Sequence, residues 1–244
     1  MGEYTRPVIE AAEYRDDEGH VIEYGNRWAT NGGTPPEDSY SVEDHPERFA
    51  PLLAVAAALI DYLGSHYEVE VEEGHHLIDE MWRAPRVDQT VRVVRLMPIG
   101  DACATLTFVL TDYPMVRVYA GVLFTEFYPS CGCNACDERW EDAAEELEWQ
   151  VFSIVGGGFS EAVSEPRRAK WSYDRGRGFV KGMGQTVSHR LRALDGESDR
   201  GGQSRAEDVP RALLQSARST LDVVASVSAD GNWLPWPLRR GGAD

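Results

Sequence analysis

Three of the four cysteines of this chain fall in one hexapeptide, Cys131-Gly132-Cys133-Asn134-Ala135-Cys136. A turn containing Gly132 would aim several sulfurs into a small volume. Two thiolates separated by two residues can grip zinc, and a third at this spacing completes most of a tetrahedral site. The fourth ligand would come from Asp137, Cys103, His66, His75 or His76. None of these stands at a diagnostic spacing, and no second Cys-x-x-Cys follows. Two other chemistries use the same residues. Cys133 and Cys136 at the start of a helix also form the arrangement of a thiol–disulfide redox pair, because the first N–H groups of a helix favour thiolate. The βαβ pattern that usually surrounds such a pair is missing. Alternatively, the three are reduced, buried small residues that pack a crowded turn. Cys131, Cys133 and Cys136 are therefore the candidate metal ligands and zinc the candidate cofactor, with the redox and packing readings beside it.

Other chemically suggestive stretches are weaker. Gly158-Phe159-Ser160-Glu161-Ala162 lacks the last glycine of a nucleophile elbow. His75-His76 follows a turn-like Glu72-Glu73-Gly74, and no His-Glu-x-x-His spacing exists. Gly176 to Thr186 has the glycines of a phosphate loop in the wrong order, although Arg175, Arg177 and Lys181 would suit a small anion. The bland reading of that segment is a glycine-kinked hairpin with a basic edge. Trp233-Leu234-Pro235-Trp236-Pro237 cannot be helical. It reads as a chain end locked onto the core, or, if exposed, as a platform for an extended peptide.

The cysteine motif, extended to Cys131-Gly132-Cys133-Asn134-Ala135-Cys136-Asp137-Glu138, occurs with Tyr24-Gly25-Asn26-Arg27-Trp28, His45-Pro46-Glu47-Arg48-Phe49 and the Trp233–Pro237 tail. In that combination the chain resembles a family of uncharacterised actinobacterial proteins, from about Tyr4 to Arg240. The resemblance implies a cytoplasmic protein of a high-GC bacterium. It brings no activity and no catalytic residues.

Positioning these residues falls to elements read from periodicity. Asp16-Asp17-Glu18-Gly19 is a turn cluster ahead of a short strand His20–Tyr24, so residues 14–28 are expected as a hairpin. Phe49, Leu52, Leu53, Ala56, Leu59, Ile60 and Leu63 recur at helical steps behind Asp44 and Pro46, with Gly64 as the expected end. Tyr67 to Glu72 alternates, with Tyr67, Val69 and Val71 on one face and three glutamates on the other. Val91–Val93 is a neighbouring strand in which Arg92 would offer a cross-strand partner. Strands at Cys103–Thr111 and Val116–Phe127 follow, joined by a tight turn at Asp112–Met115. A second helix begins at Asp137, carries Trp140, Ala144, Leu147, Val151 and Ile154 on one face, and ends at Gly156-Gly157-Gly158. Shorter strands are expected at Ala169–Tyr173 and Phe179–Val187, a mobile loop at 195–208, and a last helix from Pro210 to Ala225.

The fold class is α+β: an antiparallel meander sheet packed by two long helices, plus a C-terminal helix and an aromatic tail, in a single domain over 1–244. The 244 residues are 42% hydrophobic, enough for a sizeable core. Forty-one acids against 24 bases give a net charge of −17, a field that disfavours nucleic acid and anionic lipid and leaves open a basic protein partner, a cation or simple solubility, with a solvated surface as the plainest reading. No apolar run is expected to reach membrane-spanning length, and the N-terminus lacks the pattern of a secretory signal, so the expected location is the cytoplasm. The leading functional expectation is a non-enzymatic, acidic accessory or protein-interaction module with a cysteine knuckle. The alternatives are an enzyme using the cysteines for redox chemistry or catalytic zinc, and an immunity or inhibitor protein for a basic partner.

Overall fold

The computed structural model describes residues 3–10, 12–165, 170–174, 177–181 and 184–240, with 170–174 and 177–181 described by backbone alone. A five-stranded antiparallel meander is formed by β1 (Val69–Glu73), β2 (Thr90–Pro98), β3 (Leu106–Thr111), β4 (Val116–Ala120) and β5 (Phe124–Tyr128), in that spatial order. Two helices, α1 (Pro51–His66) and α2 (Trp140–Val155), pack with it. A second sheet holds β6 (Phe159–Val163), β9 (Thr186–Arg192) and β10 (Asp199–Arg205) in the order β10-β9-β6, while β7 (Lys170–Asp174) and β8 (Arg177–Lys181) pair separately. The C-terminal helix α3 (Arg211–Val227) precedes the tail. The expected α+β class is what the chain adopts.

The helical stripe of α1 is the centre of the core. Leu52, Val55, Ala56, Leu59 and Leu63 are fully buried, and they meet Leu96, Leu106, Phe108 and Val118 of the sheet. Residues Pro46–Phe49 form a 3-10 turn that runs into α1, and together they make a 21-residue stretch long and apolar enough to cross a membrane by length and composition. The expectation of no such stretch is thereby corrected. Here its apolar face is spent on the sheet and on α2, as in the core helix of a globular domain. Gly64 does not end the helix, which continues to His66.

The strand expectations hold in kind and differ in extent. In β1, Val69 is buried but Val71 is 53% exposed, so the apolar alternation does not map onto a buried face there. Among the described residues β1 pairs only with β2, and two of its three glutamates are answered from that strand: Arg92 donates to both Glu73 oxygens at 3.0 Å, and Arg95 lies 3.6 Å from Glu72. The strand expected from Cys103 begins at Leu106, and Cys103 instead bridges Leu234 of the tail. The long strand Val116–Phe127 is two strands separated by a turn at Gly121. That residue has φ +58°, and a Cβ on it would fall 2.0 Å from Glu161 Oε2, so only glycine fits.

Three further expectations change. Residues 14–28 form a turn with a single bridge between Arg15 and Val21 rather than a hairpin of strands. The Asp16 carboxylate holds that turn by accepting the N–H groups of Glu18 and His20. The helix expected from Asp137 starts at Trp140, because Asp137 adopts φ +52°. Residues 195–208, expected as a loop, contain β10. Its sequence Asp-Arg-Gly-Gly-Gln-Ser-Arg has no apolar alternation because it is a mostly exposed edge strand, and its order comes from full register with β9. The Phe179–Val187 segment divides between β8 and β9, while Ala169, Arg175, Gly176, Gly182 and Met183 lie outside the described residues. The anion reading of Arg175, Arg177 and Lys181 falls there too, since no side chain of that cluster is described.

The tail closes the fold. Trp233 and Trp236 are each 3% exposed, their N–H groups donating to Glu161 Oε2 and to the Ala104 carbonyl. Backbone bonds from residues 233, 234 and 236 reach Phe159, Ala102 and Val155, tying both sheets to α2. Of the two expected roles, locking the chain end is the one observed.

Candidate metal centre

The ten residues between Tyr128 and Arg139 link the last strand of the meander to α2, and the three candidate cysteines sit in this link. Glu138 closes it from behind: its carboxylate accepts the Ser130 N–H at 3.0 Å, the Ser130 hydroxyl at 2.8 Å and the Cys131 N–H at 3.0 Å. Gly132 lets the Tyr113 hydroxyl lie close over the link, where a Cβ would fall 1.8 Å from it and push that ring aside.

The N-terminal segment sews the front of the link. The Asn134 N–H donates to the Val42 carbonyl at 2.7 Å, and the Ala135 N–H to Ser39 at 3.1 Å. The Asn134 side chain donates to Asp44 Oδ2 at 2.7 Å and accepts the Asp44 N–H at 3.2 Å. Arg48, 3% exposed, spends its guanidinium on backbone: Nη2 donates to the Gly132 carbonyl at 2.7 Å and Nη1 to Asp44 at 2.5 Å. Its cation lies over Tyr24 and Phe49, 4.4 and 4.3 Å from their centroids. The Trp28 indole donates to the Asn134 carbonyl, and the Arg27 N–H to Asp137 Oδ2. Asn134, Asp44, Arg48, Trp28 and Glu138 therefore position the centre, and none was singled out for that task from sequence. The available signal was an asparagine between two cysteines and an acid two residues after the third.

Within this frame the Sγ atoms of Cys131, Cys133 and Cys136 all lie within 4.8 Å of one another, and those of Cys131 and Cys133 are 3.3 Å apart. Tetrahedral thiolates at a zinc–sulfur distance of about 2.3 Å stand about 3.8 Å apart, so one ion can touch all three after small movements. Cys133 is buried and Cys136 exposed. The Cys133 thiol is drawn down to about 7: burial pushes it up, but the Cys136 N–H, the Cys131 and Cys136 thiols and the Ser41 N–H together outweigh that. Cys136 is pushed up to about 12 by hydrogen bonds to Cys131 and Cys133 and by burial. Backbone N–H groups aimed at a cysteine sulfur are the donors that also steady a bound thiolate.

None of the expected fourth ligands joins the group among the described residues. Cys103 donates to the Pro235 carbonyl, and burial raises its pKa. His66 stacks on Tyr62, His75 meets the Thr90 carbonyl and His76 meets Glu72. Asp137 is the nearest in sequence. Its Oδ2 is taken by Arg27, and its buried Oδ1 has no hydrogen-bond partner.

Fold and site together define an α+β protein with a three-cysteine group close enough to bind one metal ion. The chain belongs to the family described as a family of unknown function (DUF6226), whose profile matches residues 10–240. No curated protein and no solved structure matches it.

Proposed function

We propose that the protein is a non-enzymatic accessory module whose Cys131, Cys133 and Cys136 hold a zinc ion as a structural staple. The observation that carries this reading is the convergence of three sulfurs in a link bonded on one side to segment 27–48 and on the other to the start of α2. An ion there would hold the N-terminal third of the chain against the meander. The fourth position would be filled by water, or by Asp137 after its carboxylate turns from Arg27.

The location that suits this chemistry is the reducing cytoplasm, in the actinobacterial setting that the motif resemblance implies, because the cysteines would have to stay unbridged to bind metal. A basic protein is the partner that suits the net charge. It would have to meet acids other than Glu141, Glu146 and Glu148, each of which is matched by an arginine of this chain. Thiol exchange is the second reading, favoured by exposed Cys136 beside two further sulfurs. Against it, β5 and β6, the strands on either side of α2, lie in different sheets, so the cysteines do not stand in the βαβ unit that usually carries such a pair.

Untagged protein purified without chelator should carry about one zinc per chain, measured by elemental analysis together with a free-thiol count. Cys133→Ala should lose the metal and melt below the parent, in line with the folding energy that structural zinc supplies. Metal-free protein with three reactive thiols would discard the staple and leave thiol chemistry. A Cys133→Ala variant that melts like the zinc-bearing parent would remove the structural role.

A further inference from the structure

A cleft lies between β5 of the meander and strands β9 and β10 of the second sheet, with Trp82 in its wall. It encloses about 270 Å³, and a neighbouring hollow of about 320 Å³ shares Trp82, Leu123, Phe124 and Thr125 with it. Together they reach the size of small-molecule sites, roughly 300–1,000 Å³. No cysteine lines either hollow, so the cleft is distinct from the metal centre.

The cleft wall holds one carboxylate, and that group is closed to a guest. It belongs to Glu161, whose oxygens accept the Val122 and Leu123 N–H groups and the Trp233 indole. The one cation in the wall is Arg83. Its exposed guanidinium lies over Trp82, 4.4 Å from the ring centroid, and has no carboxylate within 4.0 Å among the described residues. Arg83 is held at φ +60°, and its carbonyl accepts the Tyr119 hydroxyl at 3.1 Å, which fastens the loop that presents the cation to β4. A second cation stands behind the wall. Arg117 of β4 lies over the Phe127 ring at 5.2 Å, with its Nε buried and without a hydrogen-bond partner. A partly desolvated charge with no counter-ion is costly, and an anion nearby lowers that cost.

His189 supplies the remaining polar group. Its ring nitrogens bond no other described residue, and the ring lies over Gly202 of β10, where a Cβ would fall 2.5 Å from Cε1 and 3.0 Å from Nε2. In a chain of net charge −17, a wall with an arginine, an imidazole and no open carboxylate reverses the sign of the general surface.

We propose that this cleft binds a small organic acid, its carboxylate between Arg83 and the His189 ring and its apolar body along Leu123, Phe124 and Phe127. A guanidinium fork matches the two oxygens of a carboxylate. A cationic guest would meet Arg83 and find no acid to pair with.

The test titrates the full chain with 3-phenylpropionate, 2-phenylethanol and 2-phenylethylamine, three charges on one body. Calorimetry at moderate salt should show saturable binding of the carboxylate, with the alcohol and the amine about tenfold weaker or more, the size of one hydrogen bond to a charged group. The His189 ring resonances should shift as the carboxylate is added. Arg83→Gln changes an exposed side chain, so it should keep the parent's melting temperature. It should weaken the carboxylate about tenfold and leave the alcohol unchanged, while Arg83→Lys restores part of the loss. Arg117→Met keeps bulk over Phe127 without the charge and should cost the carboxylate about threefold. Amine or alcohol binding as tight as carboxylate binding, no saturable binding by folded protein, or carboxylate binding indifferent to Arg83→Gln would each overturn the proposal. None of these outcomes depends on whether zinc is found.

Discussion

Glu161 is a wholly enclosed carboxylate in β6, and its two oxygens accept the N–H groups of Leu123 and Val122 at 2.8 and 2.9 Å. It thereby fastens the Gly121 turn and the Trp233 indole to the second sheet. Directly opposite it in β9 stands His189, half-buried and edge-on to Phe124, with its pKa lowered by burial. Burial pushes the Glu161 carboxyl up to about 7, against the opposing pull of Val122, Leu123 and Trp233. An acid whose folded value is raised stabilises the fold fully below its unfolded value near 4.5 and loses that contribution as pH rises through about 7. The size is about 3 kcal/mol at 1.36 kcal/mol per unit. Glu73 and Asp199, held below the ordinary range by Arg92 and Arg190, have the opposite sign and act only at lower pH. His189 and Cys133, both held below their ordinary values, act in the opposite sense in this range, so Glu161 is read as a difference: between pH 5 and about 7 the stability of the parent relative to Glu161→Gln, measured by denaturation, should fall as pH rises. The amide would also turn a donor towards one of the two N–H groups, at about 1–3 kcal/mol. An unchanged slope in the variant would show that Glu161 does not titrate in this window.

At the scale of elements, α2 shows how a run of acids can be structural. Glu148 accepts the Tyr4 hydroxyl at 2.7 Å and the Arg6 guanidinium at 2.5 Å, Glu146 pairs with Arg200 of β10, and Glu141 pairs with Arg139. One face of the helix packs into the core through Ala144, Leu147, Val151 and Ile154, while its acids gather an N-terminal arm and an edge strand that have little apolar surface of their own. Glu148→Gln should loosen that arm. The arm is held through side chains, so NMR order parameters of residues 3–10 should fall, while global stability drops only by about 0.5–1.5 kcal/mol, because the pair is partly exposed and solvent screens it. Order parameters unchanged in the variant would show that Tyr4 packing against Tyr62 and Phe152 holds the arm by itself.

Over the whole molecule, the tail acts as a strap. Trp236 sits edge-on to Tyr67 at 5.7 Å, donates to Ala104, and has its backbone bonded to the end of α2. Removing it opens a cavity where the meander, α1 and α2 meet. Trp236→Ala should cost about 3–5 kcal/mol in chemical denaturation, the range for large aromatic truncations in a core. A loss under about 1 kcal/mol would mean that the strap contributes little beyond the surface it covers.

Short-range order was legible in the sequence, because helix and meander periods repeat within a few residues and each apolar stripe names the face it buries. The stripe of Leu52, Leu59 and Leu63, the face of Leu147 and Ile154, and the three cysteines within six residues all belong to that class. What tertiary structure alone decided depends on partners far away along the chain. Asn134 meets Asp44 across 90 residues and Asp137 meets Arg27 across 110. β10 is ordered by β9 rather than by any alternation of its own, and the Gly121 turn exists because Glu161 receives its N–H groups. The missing fourth ligand follows the same rule. Sequence offered five candidates by residue type, and folding carried the three histidines and Cys103 to Tyr62, Thr90, Glu72 and Pro235 instead. A local pattern records what a residue can bind, while the packing of distant elements determines what comes within reach.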